Sequence, residues 1–243
     1  MDDHENKLAS ECYGYGRWDA PYWFIGLEEG KASWEGDSPT KRANAFIKLN
    51  REGLCDCLEF HKEIGEYRWH VSNPKTGRVT LQSTWKYLIL LLLSFQGKPI
   101  EDKERSVLQR VYQCERWGMK DSKAGETCVI ELSGLASSNL LVSAKRSKET
   151  RCEIESNLST RIGHIRKRIR DGTPKFVVMY GLTRQKEWEA IAGITLQVGV
   201  PEKTDQTTFL LVEHPTAFSK KGQRKIPHWL ASGVKLRNEC NSF

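Results

Sequence analysis

Two short stretches hold most of the residues that could do chemistry. The first is Phe24-Ile25-Gly26-Leu27-Glu28-Glu29-Gly30, where two glycines bracket a pair of carboxylates. Glycine lets a backbone come close to a ligand. A carboxylate there can orient a water or stabilise a developing cation. Taken alone, the loop also reads as a solvated turn. The second stretch is Glu213-His214-Pro215-Thr216-Ala217-Phe218-Ser219, followed by Lys220, Lys221, Arg224 and Lys225. A lone histidine after an apolar run is commonly a satisfied core residue, and a Lys/Arg run is commonly a solvated loop. The combination says more. A histidine, an apolar Phe218 and then four cations suit a loop that holds phosphates while wedging a hydrophobe into a base stack.

These stretches follow apolar runs that read as buried strands: Tyr22–Ile25, Cys128–Leu132, Phe176–Tyr180 and Thr208–Val212. Each is β-rich, nearly continuous in apolarity and followed at once by a turn or polar cluster, which suits strands covered on both faces. Helical patterns lie between them, at Thr40–Arg51, Thr84–Phe95, Lys103–Tyr112 and Thr183–Ala192. The clearest is Ser147–Asp171, whose stripe is Ile154, Leu158, Ile162, Ile165 and Ile169. Gly172 and Pro174 end it. The alternation predicts an α/β fold: a three-layer sandwich around a central, mostly parallel four-stranded sheet, in a single domain 1–243 with an N-terminal arm over about 1–20. In such sheets ligands bind beyond the carboxyl ends of the strands, where the polar residues above sit. Tyr13-Gly14-Tyr15-Gly16-Arg17-Trp18 could stack a base, but reads better as part of that arm packed on the sheet.

Composition sets broad bounds. The 243 residues are 38% apolar and 28% charged, as in a globular protein with a substantial core. The net charge of +7 is compatible with a polyanionic partner without demanding one. Seven scattered cysteines read as reduced thiols. No Cys-x-x-Cys occurs, and the close pair Cys55-Asp56-Cys57 lacks a second pair, so no metal is expected. The acidic N-terminus is unlike a signal peptide. The apolar run Tyr87–Leu93 is too short to span a bilayer. A cytoplasmic protein with no membrane association is expected.

The order and spacing of the four strand ends resemble those of the uracil-DNA glycosylase superfamily. Its first strand ends in a Gly-containing loop that supplies the water-activating or cation-stabilising residue. Its second strand end reads the flipped base. Its third ends in Gly, often after an aromatic, like Tyr180-Gly181. Its fourth ends in a His-Pro-Ser-type motif, close to His214-Pro215-Thr216-Ala217-Phe218-Ser219. The resemblance spans roughly residues 20–230, although residues 31–127 match only in being helical. It implies a monomeric DNA glycosylase that flips a base from double- or single-stranded DNA and hydrolyses its N-glycosidic bond. Glu28 takes the place of the catalytic Asp or Asn. Glu29 replaces a common proline, leaving either carboxylate as the candidate. His214 would donate to the base O2, spreading the leaving group's charge. Phe218 would fill the vacated stack. Ser219, Lys220, Lys221, Arg224, Lys225 and Gly181 would contact the DNA. No lysine at these motifs is placed for a Schiff base, which implies a monofunctional enzyme. Only Cys12 lies upstream of the first motif, so no iron–sulfur cluster and no other cofactor are expected.

Two departures bear on the base. Classical uracil enzymes block C5 of the base with a tyrosine, where this chain has Gly30 in a pocket that includes Gly26. They also read the base with an asparagine, where the nearest polar residue here is Glu131, followed by Ser133 and Asn139. An ionised carboxylate only accepts, which suits cytosine N4 and repels uracil O4. If Glu131 faces the pocket, a 5-substituted cytosine is expected, such as the glucosylated hydroxymethylcytosine of phage DNA, in an anti-phage role. Otherwise Ser133 or Asn139 reads the base. The alternatives are a housekeeping uracil glycosylase, a silent nucleic-acid-binding module on the same fold, and an unrelated α/β hydrolase acting on a small glycoside.

Overall fold

A computed structural model of the chain describes residues 3–30, 38–50, 52–121, 125–137, 148–204, 206–217 and 225–242. In chain order its elements are α1 (Asp3–Glu11), β1 (Gly14–Gly16), β2 (Tyr22–Gly30), α2 (Pro39–Leu49), β3 (Leu54–Cys55), α3 (Cys57–Ile64), α4 (Trp85–Phe95), α5 (Arg105–Glu115), β4 (Thr127–Ser137), α6 (Lys148–Gly172), β5 (Phe176–Tyr180), α7 (Gln185–Ala192), β6 (Pro201–Lys203), β7 (Thr208–Val212) and α8 (Lys225–Asn241). The fold is α/β.

The sheet order is β3-β1-β4-β2-β5-β7-β6. The neighbours β4, β2, β5 and β7 pair in parallel, whereas β1 runs antiparallel to β4 and β6 antiparallel to β7. The sheet is therefore seven-stranded and mixed, where a four-stranded, mostly parallel sheet was expected. The added strands β1, β3 and β6 are two or three residues long, too short for a period of two to register in the sequence. The segment expected as an arm over about 1–20 contains α1 and β1. Its Gly14 and Gly16 have φ of 134° and 99°, and a Cβ at either would lie 2.1 or 2.2 Å from a β4 carbonyl oxygen. Only glycine fits there, so the Gly-Tyr-Gly run is what lets β1 lie at close range against β4, between it and the edge strand β3.

Alternation along the strands divides the core in two. Phe24, Val129, Val178 and Leu210 face α2, α3, α4, α5 and α8, packing with Phe46, Phe60, Leu88, Leu92 and Trp229. Trp23, Ile25, Ile130, Val177 and Leu211 face α6 and α7, packing with Ile165, Ile169, Trp188 and Ile191. In α4, every residue from Leu88 to Leu93 is buried, because the helix lies between the sheet and other helices. Among the described residues no helix is long and apolar enough to cross a membrane.

Candidate functional site

Because β4, β2, β5 and β7 run in parallel, their carboxyl ends share one edge of the sheet. That edge receives Glu131 from β4, Glu28–Gly30 from β2, Tyr180-Gly181 from β5 and His214 after β7. Glu28 pairs in register with Ser133, and Gly30 with Ser137. Simple alternation would send Glu29 to the same face as Trp23, Ile25 and Leu27. A register shift between Glu28 and Gly30 intervenes, and Glu29 joins Tyr15 and His61 on the opposite face. Irregularities of this kind re-aim side chains beside functional sites.

Glu29 is the most heavily engaged group in the site. Arg42 Nη1 lies 2.8 Å from its Oε2, and the Tyr15 hydroxyl donates to the same oxygen at 2.7 Å. His61 Nε2 faces its Oε1 at 3.4 Å. Burial alone would raise the Glu29 pKa. The charge of Arg42, reinforced by His61 and Tyr15, outweighs burial and holds the carboxyl well below its usual range. Glu29 is thus a fixed anion, and the Arg42 side chain paired with it is only 7% exposed.

Local sequence explains how these partners arrive. Ser38 caps α2 by accepting from Lys41 N, Pro39 occupies its first turn, and Arg42 follows on the buried face. Asp56 caps α3 by accepting from Leu58 N and Glu59 N, which places Cys57 and His61 one turn apart on the inner face.

Glu29 and Glu131 line one small cavity, with Cys12, Tyr15, Arg42 and Ser133. Its room for water centres is about 20 Å³, enough for one water and far too little for a base. On the far side of Glu131, the Tyr180 hydroxyl approaches Glu131 Oε1 at 3.4 Å. The Tyr180 ring lies 5.7 Å from that of His214. Tyr180 therefore stands between the carboxylate cavity and the histidine. It fits because Gly26 has no side chain: a Cβ there would lie 2.3 Å from the Tyr180 hydroxyl oxygen. Gly26→Ala should displace the Tyr180 ring and destabilise the fold by about 1–3 kcal/mol, read by urea denaturation and near-ultraviolet circular dichroism. An unchanged near-ultraviolet spectrum would show that the ring had not moved.

The protonation of His214 follows from its partners. The Thr216 backbone N–H donates to His214 Nδ1 at 3.2 Å. Nδ1 is therefore an acceptor, and the Thr216 hydroxyl at 2.8 Å donates to it as well. The ring proton sits on Nε2, available as a donor. Burial pushes the His214 pKa below the ordinary histidine value, which favours this neutral form.

Of the residues singled out in the sequence, Gly26, Glu29, Glu131, Ser133, Gly181 and His214 lie along this edge. Glu131 lines the one-water cavity and not a pocket of base size. Glu28 and Gly30 lie on β2, although the described residues say nothing of the Glu28 side chain. Lys225 opens α8. Asn139, Phe218, Ser219, Lys220, Lys221 and Arg224 lie outside the described residues. Sequence reasoning gave no site role to Arg42, His61 or Arg161, whose buried guanidinium donates to the backbone carbonyls of Leu132 and Glu131, and it read Tyr15 as part of the N-terminal arm. Arg42 and Arg161 sit on charged helices, and nothing in a single sequence separates a buried arginine from its exposed neighbours.

No protein-family model and no curated protein matches this chain.

Proposed function

We propose that the chain is a DNA glycosylase that flips a pyrimidine and hydrolyses its N-glycosidic bond, leaving an abasic site. The observation that carries this reading is the neutral His214, fixed as an Nε2–H donor on the same sheet edge as the Glu28–Glu29 pair. Cleaving a glycosidic bond needs two charges managed at once. A donor at the base takes up the leaving group's negative charge, and a carboxylate opposite supports the oxocarbenium-like sugar. His214 suits the first role. Glu28 is the better candidate for the second, because Glu29 is already committed to Arg42, Tyr15 and His61. In this assignment Glu29 is a positioning residue for the β2 end, and the water-sized cavity beside it suits a hydrolytic water.

The substrate follows from Glu131 and Gly30. A carboxylate accepts from cytosine N4 and glycine leaves C5 open, so the substrate proposed is a 5-substituted cytosine such as glucosylated hydroxymethylcytosine of phage DNA; its binding requires the one-water cavity beside Glu131 to open. The basic segment Lys220–Lys225 would hold phosphates, with Phe218 as the wedge, in a cytoplasmic anti-phage enzyme.

The test is to incubate the protein with oligonucleotides carrying uracil, 5-hydroxymethylcytosine or its glucosylated form, then to cleave abasic sites with alkali. Strand breaks from a modified cytosine are expected. They should disappear in Glu28→Gln, and Glu131→Gln should shift preference toward uracil, because the amide can both donate and accept. No breaks from any substrate would overturn the reading and favour a silent nucleic-acid-binding module. Breaks from uracil alone would overturn the assignment of Glu131 and Gly30.

A further inference from the structure

We propose that Cys57, His61 and His70 form a binding site for a zinc-class transition-metal ion, set directly behind Glu29. The inference is independent of the excision reaction, because it rests on a different cluster and is read by metal binding.

The sulfur and one ring nitrogen from each histidine all lie within 4.8 Å of one another. His61 Nδ1 and His70 Nε2 are 3.3 Å apart, and Cys57 Sγ and His61 Nδ1 are 3.5 Å apart. A tetrahedral ion with bonds of about 2.0–2.1 Å to nitrogen and 2.3 Å to sulfur sets such ligands roughly 3.3–3.6 Å apart. Both measured edges match that figure. Cys57 and His61 are buried at 0% and 1% exposure on adjacent turns of α3. His70 comes from the loop beyond, held by its N–H to Tyr67 O at 3.0 Å.

Without an ion, His61 Nδ1 donates to the Cys57 carbonyl at 2.7 Å, and the Cys57 sulfur and His70 Nε2 stand beside the same nitrogen. Binding an ion exchanges that hydrogen bond for a bond to the metal. His70 turns Nε2 into the cluster although its Nδ1 is then buried without a hydrogen-bond partner.

Glu29 completes the pattern. A metal-bound histidine usually donates its other N–H to a carboxylate, which fixes the ring. His61 Nε2 faces Glu29 Oε1 at 3.4 Å. When an ion is bound, His61 presents Nδ1 to it with the ring proton on Nε2 toward Glu29, and Cys57 releases its thiol proton to solvent. One thiolate and two imidazoles select zinc over magnesium or calcium. Three protein ligands leave a fourth position for water. No metal was expected from the sequence, whose one close cysteine pair, Cys55-Asp56-Cys57, lacks a second pair. The ligands here follow the spacing Cys57-x3-His61-x8-His70.

The test strips the purified full chain with a chelator, then titrates it with Zn²⁺ against a chromophoric competitor and, separately, with Co²⁺. About one ion per chain is expected, with a thiolate-to-cobalt charge-transfer band. Cys57→Ser should abolish the band. Both Cys57→Ser and His70→Gln should weaken binding at least about tenfold, whereas Cys114→Ser should not. Sub-stoichiometric zinc, a missing cobalt band, or unchanged affinity in His70→Gln would each overturn the proposal. His70 is only partly buried, so its variant decides the question even if Cys57→Ser fails to fold.

Discussion

Replacing Arg161 by methionine should lower the stability of the fold by about 3–5 kcal/mol, because it leaves several buried backbone carbonyls without their donor at roughly 1–3 kcal/mol each. The Arg161 guanidinium has five N–H donors, and five backbone carbonyls surround it. Nε donates to Leu132 O at 2.7 Å, Nη1 reaches Ala9 O and Ser10 O, and Nη2 donates to Cys12 O at 2.7 Å and Glu131 O at 2.8 Å. The residue is 3% exposed. Ala9 and Ser10 end α1, so the cation also opposes the negative end of that helix. Methionine fills similar volume but leaves these carbonyls to water that cannot all reach them. The melting temperature should fall by roughly 6–20 °C in a chain of this length. Arg161→Lys should recover part of the loss through three donors. A loss below about 1 kcal/mol for Arg161→Met would mean that the carbonyls find other partners.

In the alkali assay, His214→Gln should reduce single-turnover excision by about 10²–10³-fold, as expected when a donor to a developing anion is lost from a preorganised site. The pH dependence sharpens this. Protonating His214 would put a second N–H against the Thr216 backbone N–H, breaking the turn that aims Nε2. Burial lowers the His214 pKa, so the neutral, active form persists below the ordinary histidine value of about 6.5. The rate should therefore hold steady as pH falls from 8 to about 6.5 and decline only at lower pH. An acid limb centred above that value would remove His214 from the role of neutral donor. Unchanged excision by His214→Gln would remove it from the mechanism.

The parts of this architecture that could be read from sequence are those that repeat a pattern over many residues. The long helix declared itself by its apolar stripe, and Ile165 and Ile169 lie in the core. The strands at 22, 128, 176 and 208 declared themselves by unbroken apolarity, because both faces are covered. What escaped notice is local and polar. β1 is three residues with two glycines, and its place in the sheet depends on β4 more than a hundred residues later. The α3 helix is eight residues whose inner face carries Cys57 and His61 among its apolar positions. The aim of Glu29 depends on a register shift, which only the pairing with β4 reveals. Glu29 stands out in the sequence as a candidate carboxylate, yet its three partners come from separate elements.

The strand order also bears on how the chain acquires its shape. β2 occupies the middle of the sheet, yet it is synthesised roughly a hundred residues before β4 and about 150 before β5. At about 5–20 residues per second it waits about 5–20 s on the ribosome with both edges unpaired. Its Tyr22-Trp23-Phe24-Ile25 run is a sticky segment during that interval. The carboxylate cavity closes late as well, because one wall is Glu131 and the arginine clamping that wall to α1 arrives at position 161. Nascent chains shorter than about 160 residues should therefore lean on holdase chaperones, and closure of the carboxylate cavity should track synthesis of α6, ahead of the arrival of His214.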